Sequence, residues 1–506
     1  MTRRSSFMTP LLAGLLLASL ATVATAPAEA AAADCSKASA NDFDGDGRDD
    51  LAVGDPLADA AGVRGAGSVH ILPAGGTGTG NGLAVTAADA RAGDAFGWTV
   101  RTAHVDGDKC LDVVVGAPYA DAEGGADAGA VYVVRGGAYD GRVPLEAVRK
   151  ITPPRPERNA HFGWALAAAR VPGSPAGVIA VGAPYEDDTR VTDSGAVYVY
   201  AAKPDGEPGA AHRITQQSEG VVGNSEEGDM FGWSLVLGRM GGRAGSVDLA
   251  IGTPYENDDG VGKQGGNAGK ADTGAVEVIF DAAEAGKTYT SVKWGIPESV
   301  KNVTEHAGDR YGYALAYAEF GGTPYLASSA PLADVGSVTD SGLVQTFQPD
   351  KSGTLRPVRT IQLGAGGLED QSAEPKAALG WSLAMVGTEK TLYLAIGSPF
   401  DSRNAVEAGV IRAVPLSGDE AGRSLTLEKP HAYDHLGWSL ATFGAADSFS
   451  AGTGLLAGVP DETSAPGGAV ALIREGDPTR LLTPGRQGVP VVSGGSSADF
   501  GASVSG

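Results

Sequence analysis

The sequence predicts an all-β chain folded as a seven-bladed β-propeller, closed by pairing of its C-terminal strand with its N-terminal blade. Three observations carry this. A short apolar run ending in Gly-x-Pro recurs seven times, a second run opening with Gly follows each copy, and an aromatic-glycine marker recurs seven times as well. Composition agrees, since 76 Gly and 29 Pro in 506 residues, with only 6% aromatics, favour many short strands joined by tight turns.

In chain order, residues 1–33 read as a secretory signal. Arg3 and Arg4 form the positive start, an apolar run follows from Phe7 to about Val23, and small residues offer A-x-A cleavage sites up to Ala33. The placement of Phe7 favours Sec over Tat export, and Asp34 before Cys35 fits a lipoprotein signal poorly. The propeller is expected over residues 34–506, with no downstream apolar run long enough to span a membrane. The chain is expected to be secreted and to work as a monomer.

The Gly-x-Pro runs are LAVGDP from Leu51, VVVGAP from Val113, IAVGAP from Ile179, LAIGTP from Leu249, LASSAP from Leu326, LAIGSP from Leu394 and LLAGVP from Leu455. The runs that follow start at Gly67, Gly129, Gly195, Gly274, Gly342, Gly409 and Gly468. In GAVYV, Val131 and Val133 share one face and Tyr132 takes the other, as in a strand packed between two sheets. Proline should end each first run, because it lacks a donor for the ladder. The small residues of these runs are expected to crowd the central axis. In the fourth copy the connection lengthens, so Asp258 to Asp272 reads as a loop insertion.

The third marker is FGW at Phe96, Phe162 and Phe231, YGY at Tyr311, LGW at Leu379 and Leu436, and FGAS at Phe500. The first repeat has no marker before it, and the last marker has no repeat after it. A ring explains both, because the segment from Phe500 can complete the first blade and leave no sheet edge dangling. Phe and Trp of these markers are both read as core.

Paired FG and GAP markers, seven times over, resemble the FG-GAP repeats of integrin α-subunit propellers and of many secreted bacterial proteins. The resemblance covers the whole mature chain. It implies a seven-bladed propeller with calcium-binding loops on one face and ligand or partner contacts elsewhere. Unlike an integrin subunit, this sequence shows no inserted ligand domain, no leg domains and no membrane span, so it would be the head alone.

Directly before the Leu51 strand stands Asp42-Phe43-Asp44-Gly45-Asp46-Gly47-Arg48-Asp49-Asp50. Alternating carboxylates, a Gly at position 6 and an Asp at position 9 make the flexible oxygen shell that Ca²⁺ prefers. Asp42, Asp44, Asp46 and Asp50 are the expected side-chain ligands and the Arg48 carbonyl a fifth, with Asp49 pointing outward. The family carries its D-x-D-x-D-G-x-x-D loop at this same place. A weaker second candidate is His104, Asp106, Asp108 and Asp112, with Lys109 where the Gly should be. Cys35 and Cys110 should form a disulfide in an oxidising compartment, the alternative being two buried thiols.

A net charge of −23 argues against nucleic acid and anionic membrane as partners. Neither H-E-x-x-H nor G-x-S-x-G occurs, and His431 and His435 beside Asp434 read as loop residues rather than a zinc site. The loops after Gly-x-Pro bring Tyr119 and Asp121, then Tyr185, Glu186, Asp187 and Asp188, then Tyr255, Glu256, Asn257, Asp258 and Asp259 to one rim. Tyrosine with carboxylates suits a basic or hydroxyl-rich partner. The expected function is a calcium-binding adhesion module for an extracellular protein or glycan. The alternative is a secreted propeller enzyme, a hydrolase or lyase acting on an extracellular polymer.

Overall fold

In the computed structural model, every Gly-x-Pro run is a strand that stops at the residue before its proline, as at Asp50–Asp55, Asp112–Ala117 and Gly177–Ala183. The structure describes residues 35–75, 82–139, 141–171, 173–174, 177–203, 207–243, 245–257, 269–284, 288–300, 303–462 and 464–506. The signal segment 1–33 and most of the predicted insertion therefore lie outside the described residues.

The described strands build seven antiparallel four-stranded sheets. Blade 2 is representative. Its strand nearest the axis, Thr99–Ala103, follows the FGW marker; Asp112–Ala117, Ala130–Val134 and Val148–Ile151 then step outward. The small residues of the Gly-x-Pro run are thus one strand out from the axis, not at it. Their glycine is required for another reason. A Cβ on Gly116 would lie 2.2 Å from the carbonyl oxygen of Gly163, the marker glycine of blade 3, and one on Gly54 would lie 2.1 Å from that of Gly97. The seam is sealed by hydroxyls: Thr99 Oγ1 donates to Gly163 O (2.9 Å), Ser234 Oγ to Gly312 O (2.7 Å) and Ser439 Oγ to Gly501 O (2.8 Å).

The first residue of each marker wedges between blades. Phe96, Phe162, Phe231, Tyr311, Leu379 and Phe500 are fully buried. Each docks on the preceding blade, as where Phe162 forms a parallel bridge with Gly129 at φ 88°. Burying one such side chain contributes about 1.5–3 kcal/mol, so the five rings and two leucines together supply much of the cohesion between sheets.

Ring closure takes place as expected. Ser503–Ser505 pairs with Asp50–Asp55 (Gly54↔Ser503, Val53↔Val504, Ala52↔Ser505) and becomes the inner strand of blade 1. Phe500 packs among Leu51, Val53, Phe443 and Val470, and Ser503 Oγ reaches Gly97 O (2.8 Å). A second tie is covalent: the disulfide Cys35–Cys110 joins the segment before blade 1 to the loop of blade 2. No helix among the described residues is long and apolar enough to cross a membrane.

Behind the closing strand, His70 is wholly buried against the edge of the Phe500 ring, between Ser68 and Asp55. Burial lowers its pKa to about 4. The folded chain then binds fewer protons than the unfolded one between about pH 4 and 6.5, so this group's contribution to stability is lost as pH falls through that window. Asp55 and Asp499 beside it are raised by burial and act in the opposite sense. Comparing wild type with His70→Gln by denaturant unfolding isolates the histidine: wild type should lose roughly 1.4 kcal/mol per pH unit relative to the variant below pH 6.5. Phe500→Ala should cost about 3–5 kcal/mol, read from the same curves. A loss under 1 kcal/mol would mean that the last marker does not close the ring.

Candidate functional site

Antiparallel sheets fix two functional ends. The markers and the loops after Gly-x-Pro lie where the inner strands begin, and the loops joining each inner strand to the Gly-x-Pro strand lie where they finish.

At the finishing end, Asp42 is fully buried and accepts N–H bonds from Gly45 and Gly47, both at 2.7 Å. Asp44 accepts from Asp46 N–H (3.1 Å) and Asp46 from Arg48 N–H (2.9 Å), so the chain winds around its own carboxylates. One oxygen from each of Asp42, Asp44 and Asp46 lies within 4.8 Å of the others. Asp50 accepts from the N–H of Phe43 (2.8 Å) and Asp44 (3.4 Å), and burial beside Asp44 and Asp42 pushes its pKa up to about 8. Asp49 faces away and accepts the Ser39 hydroxyl (2.9 Å). Three converging carboxylates with a buried fourth behind them are a hard-oxygen donor set that fits Ca²⁺.

The equivalent loop of blade 2 differs. Asp112 accepts from Val105, Asp106 and Gly136 N–H, and Asp108 accepts the Cys110 N–H (2.8 Å) and lies 3.5 Å from Cys35 Sγ. His104 is turned away from these carboxylates, with Nδ1 3.0 Å from Cys110 O and Nε2 2.8 Å from Ala40 O. It joins the two loops rather than the carboxylate cluster, whose proximity raises Asp108 to about 6 after burial has acted.

At the starting end the second aromatic of each marker does not enter the core. Trp98, Trp164, Trp233, Tyr313, Trp381 and Trp438 are half-buried and form an arc around the axis, with neighbouring ring centroids 4.9–5.8 Å apart. Reading these tryptophans as core was therefore wrong. Alternation explains it: Phe points between the sheets, the left-handed Gly turns the chain, and the next side chain faces the axis. In the seventh marker this position is Ala502, which leaves the arc open between Trp438 and Trp98. The arc surrounds a cavity of about 240 Å³ that also takes in Thr99, Arg101, Ser382 and Ser439.

The rim tyrosines form a second tier. Tyr119 stands against Trp98 (5.5 Å), Tyr185 against Trp164 (5.5 Å) and Tyr255 against Trp233 (5.3 Å); Phe400 repeats the contact on Trp381 (5.0 Å). Partial burial lifts the Tyr185 pKa to about 12. The acidic residues divide. Asp121 is exposed and paired with Arg91 (3.1 Å), and Asp187 is half-buried, accepting the Asp193 N–H (3.0 Å). Glu186 and Asp188 are buried in a network with Tyr198, Arg213 and Thr215, and Asn257 is buried with Oδ1 on the Asp272 N–H (3.0 Å). These three hold the loops, so Tyr119, Tyr185, Tyr255, Asp121 and Asp187 are what the rim presents. Asp258 lies outside the described residues. On blades 6 and 7, His435 stacks on Trp438 and Phe400, and His431 faces Asp434 and Glu462.

The FG-GAP repeat family matches residues 38–72 and 96–134, and a second FG-GAP repeat description matches 146–200. Human phosphatidylinositol-glycan-specific phospholipase D is 33% identical over 178 residues, 34% of this chain and 20% of that protein. Integrin alpha-PS2 of Drosophila melanogaster is 32% identical over 226 residues, 43% of this chain and 15% of that protein. The chain thus spans about a fifth or less of the length of these curated relatives. Among solved structures, the periplasmic gluconolactonase of Pseudomonas aeruginosa aligns over 90% of this chain and 99% of its own, with a TM-score of 0.44 and 14% identity. The chain thus carries FG-GAP repeats over residues 38–72, 96–134 and 146–200, similar to those of an integrin alpha subunit, and the same marker pair recurs around all seven sheets.

Proposed function

We propose that this protein is a secreted, calcium-stabilised binding module that docks an extracellular protein or glycan at the aromatic end of its axis. The observation that carries the reading is the arc of six half-buried aromatics backed by Tyr119, Tyr185, Tyr255 and Phe400. Rigid aromatic area gathered around one concave mouth is what recognition surfaces use, because it loses little conformational entropy on binding. The disulfide, together with similarity to parts of an integrin alpha subunit and of a phosphatidylinositol-glycan-specific phospholipase D, supports an extracellular setting.

Calcium belongs at the opposite end, held by Asp42, Asp44, Asp46 and Asp50 with the Arg48 carbonyl. It would neutralise carboxylates that otherwise repel one another where the chain ends meet. The His104, Asp106, Asp108 and Asp112 loop is the weaker second candidate, now without its histidine. Calcium at a hundredfold excess over its Kd stabilises the fold by about 2.7 kcal/mol. The melting temperature should therefore rise with calcium in wild type and stay flat in Asp44→Asn/Asp46→Asn; an equal rise in both would remove the site.

Capture from extracellular extracts tests the function. Wild type in calcium should retain a specific partner that EDTA releases, and Tyr185→Ala/Tyr255→Ala should bind it at least tenfold more weakly, about 1.4 kcal/mol or more. Equal retention by the variant would move the contact elsewhere. Turnover of an extracellular polymer without stable capture would replace this reading with that of a secreted enzyme.

A further inference from the structure

The position three residues after the second aromatic of each marker lies on the inner strand. In chain order it is Arg101, Ala167, Val236, Ala316, Ala384, Ala441 and Ser505. Six copies are small or apolar, as the crowded axis demands, and one is a guanidinium. Arg101 borders the same cavity as the aromatic arc. The inner strand of the next blade, Ala165–Arg170, reads ALAAAR.

Among the described residues Arg101 makes one hydrogen bond, from Nη1 to the Val100 carbonyl (2.7 Å), and no ion pair. The cavity that Arg101 lines is walled by indoles. Elsewhere in the fold the strongly buried guanidinium is matched: Arg412 is fully buried on Asp401, Ser398 and Gln371. Arg101 is half-buried, and desolvation without such a partner lowers its pKa, an unfavourable state that an arriving anion would relieve. The molecule carries a net charge of −23, yet among the described residues no carboxylate pairs with this cation.

Shape limits what that anion belongs to. A cavity of about 240 Å³ is of the size that takes one ring-sized group. The indole faces offer flat apolar walls for the C–H faces of a sugar ring, and the missing aromatic at Ala502 opens one side. The Asp121 and Asp187 carboxylates outside can accept sugar hydroxyls. From this placement we infer that the axial cavity binds a carboxylate-bearing sugar residue, its ring against the tryptophans and its carboxylate forked onto Arg101. The inference rests on reading the aromatic mouth as the binding end and names the chemistry that enters it.

Five of the six tryptophans line this mouth, so intrinsic fluorescence reports on it directly. The mature protein is titrated with D-glucuronate, D-glucose and acetate. Glucuronate should bind at least tenfold more tightly than glucose and than acetate. Arg101→Met should weaken glucuronate at least tenfold while leaving glucose unchanged, and Ala502→Trp, which fills the opening, should abolish both; matching melting curves establish that the variants fold. Equal binding of glucuronate and glucose, or glucuronate binding untouched by Arg101→Met, overturns the inference, and acetate binding as tightly as glucuronate overturns the sugar assignment. If Arg101→Met abolishes none of these signals yet Tyr185→Ala/Tyr255→Ala still loses its captured partner, the binding reading stands and this inference alone falls.

Discussion

Close approaches between glycine backbones, at six of the seven seams, set the architecture. The carbonyl of a marker glycine presses on the Gly-x-Pro glycine of the preceding blade so tightly that even a Cβ would collide with it, as at Gly116 against Gly163. Because the same contact recurs at six of the seven seams, with Ser329 taking the glycine's place in blade 5, each sheet is held at a similar angle to the next and the array closes. The hydroxyl that follows most markers then locks the carbonyl in place, at Thr99, Ser234, Ser382, Ser439 and Ser503. Where it is alanine, at 165 and 314, packing and backbone bonds such as Phe231 N–H to Ser194 O (3.0 Å) and Leu379 N–H to Ser341 O (3.1 Å) carry the seam.

The functional ends follow from the same turn. A left-handed glycine sends Phe into the seam and Trp toward the axis, so repetition of a packing motif assembles an aromatic mouth without any one blade encoding it. At the other end the axis is covered by the loop 444–453 of blade 7. Phe449 is buried there under Arg239 (5.2 Å), and Glu319 donates its N–H to Phe449 O (2.7 Å). Asn41, next to the first carboxylate of the candidate metal loop, donates to Ala445 O in this cover (2.9 Å). The candidate metal loop and the cover are therefore tied directly to one another.

Much of this was legible in the sequence. The strands, their proline ends, the blade count and the closing segment from Phe500 all show in the spacing of markers, because a repeat that buries its faces only on its neighbours must preserve its contact residues. The strand order was less so. Period-2 alternation separates one face of a strand from the other but is silent on which strand is innermost, so the small residues of the Gly-x-Pro run were placed at the axis. The tryptophans were misplaced for a related reason, since their exposure depends on a glycine φ and on convergence of six blades. Glu186, Asp188 and His104 show another limit: loop carboxylates and imidazoles look alike in sequence whether they face solvent or brace a turn. Arg101 did leave a signal, a charge in a column of alanines, visible once the inner strands are aligned on their markers.

Hydrogen exchange on the mature protein, followed peptide by peptide in calcium and after chelation, tests most directly whether the ring is locked where its ends meet. Removing the ion should release Asp50–Asp55 and Ser503–Ser505 first, with the neighbouring cover 444–453, while the inner strands of blades 3 to 6 stay protected. Uniform loosening of all seven blades, or exchange at the closing strand that ignores calcium, would contradict the account.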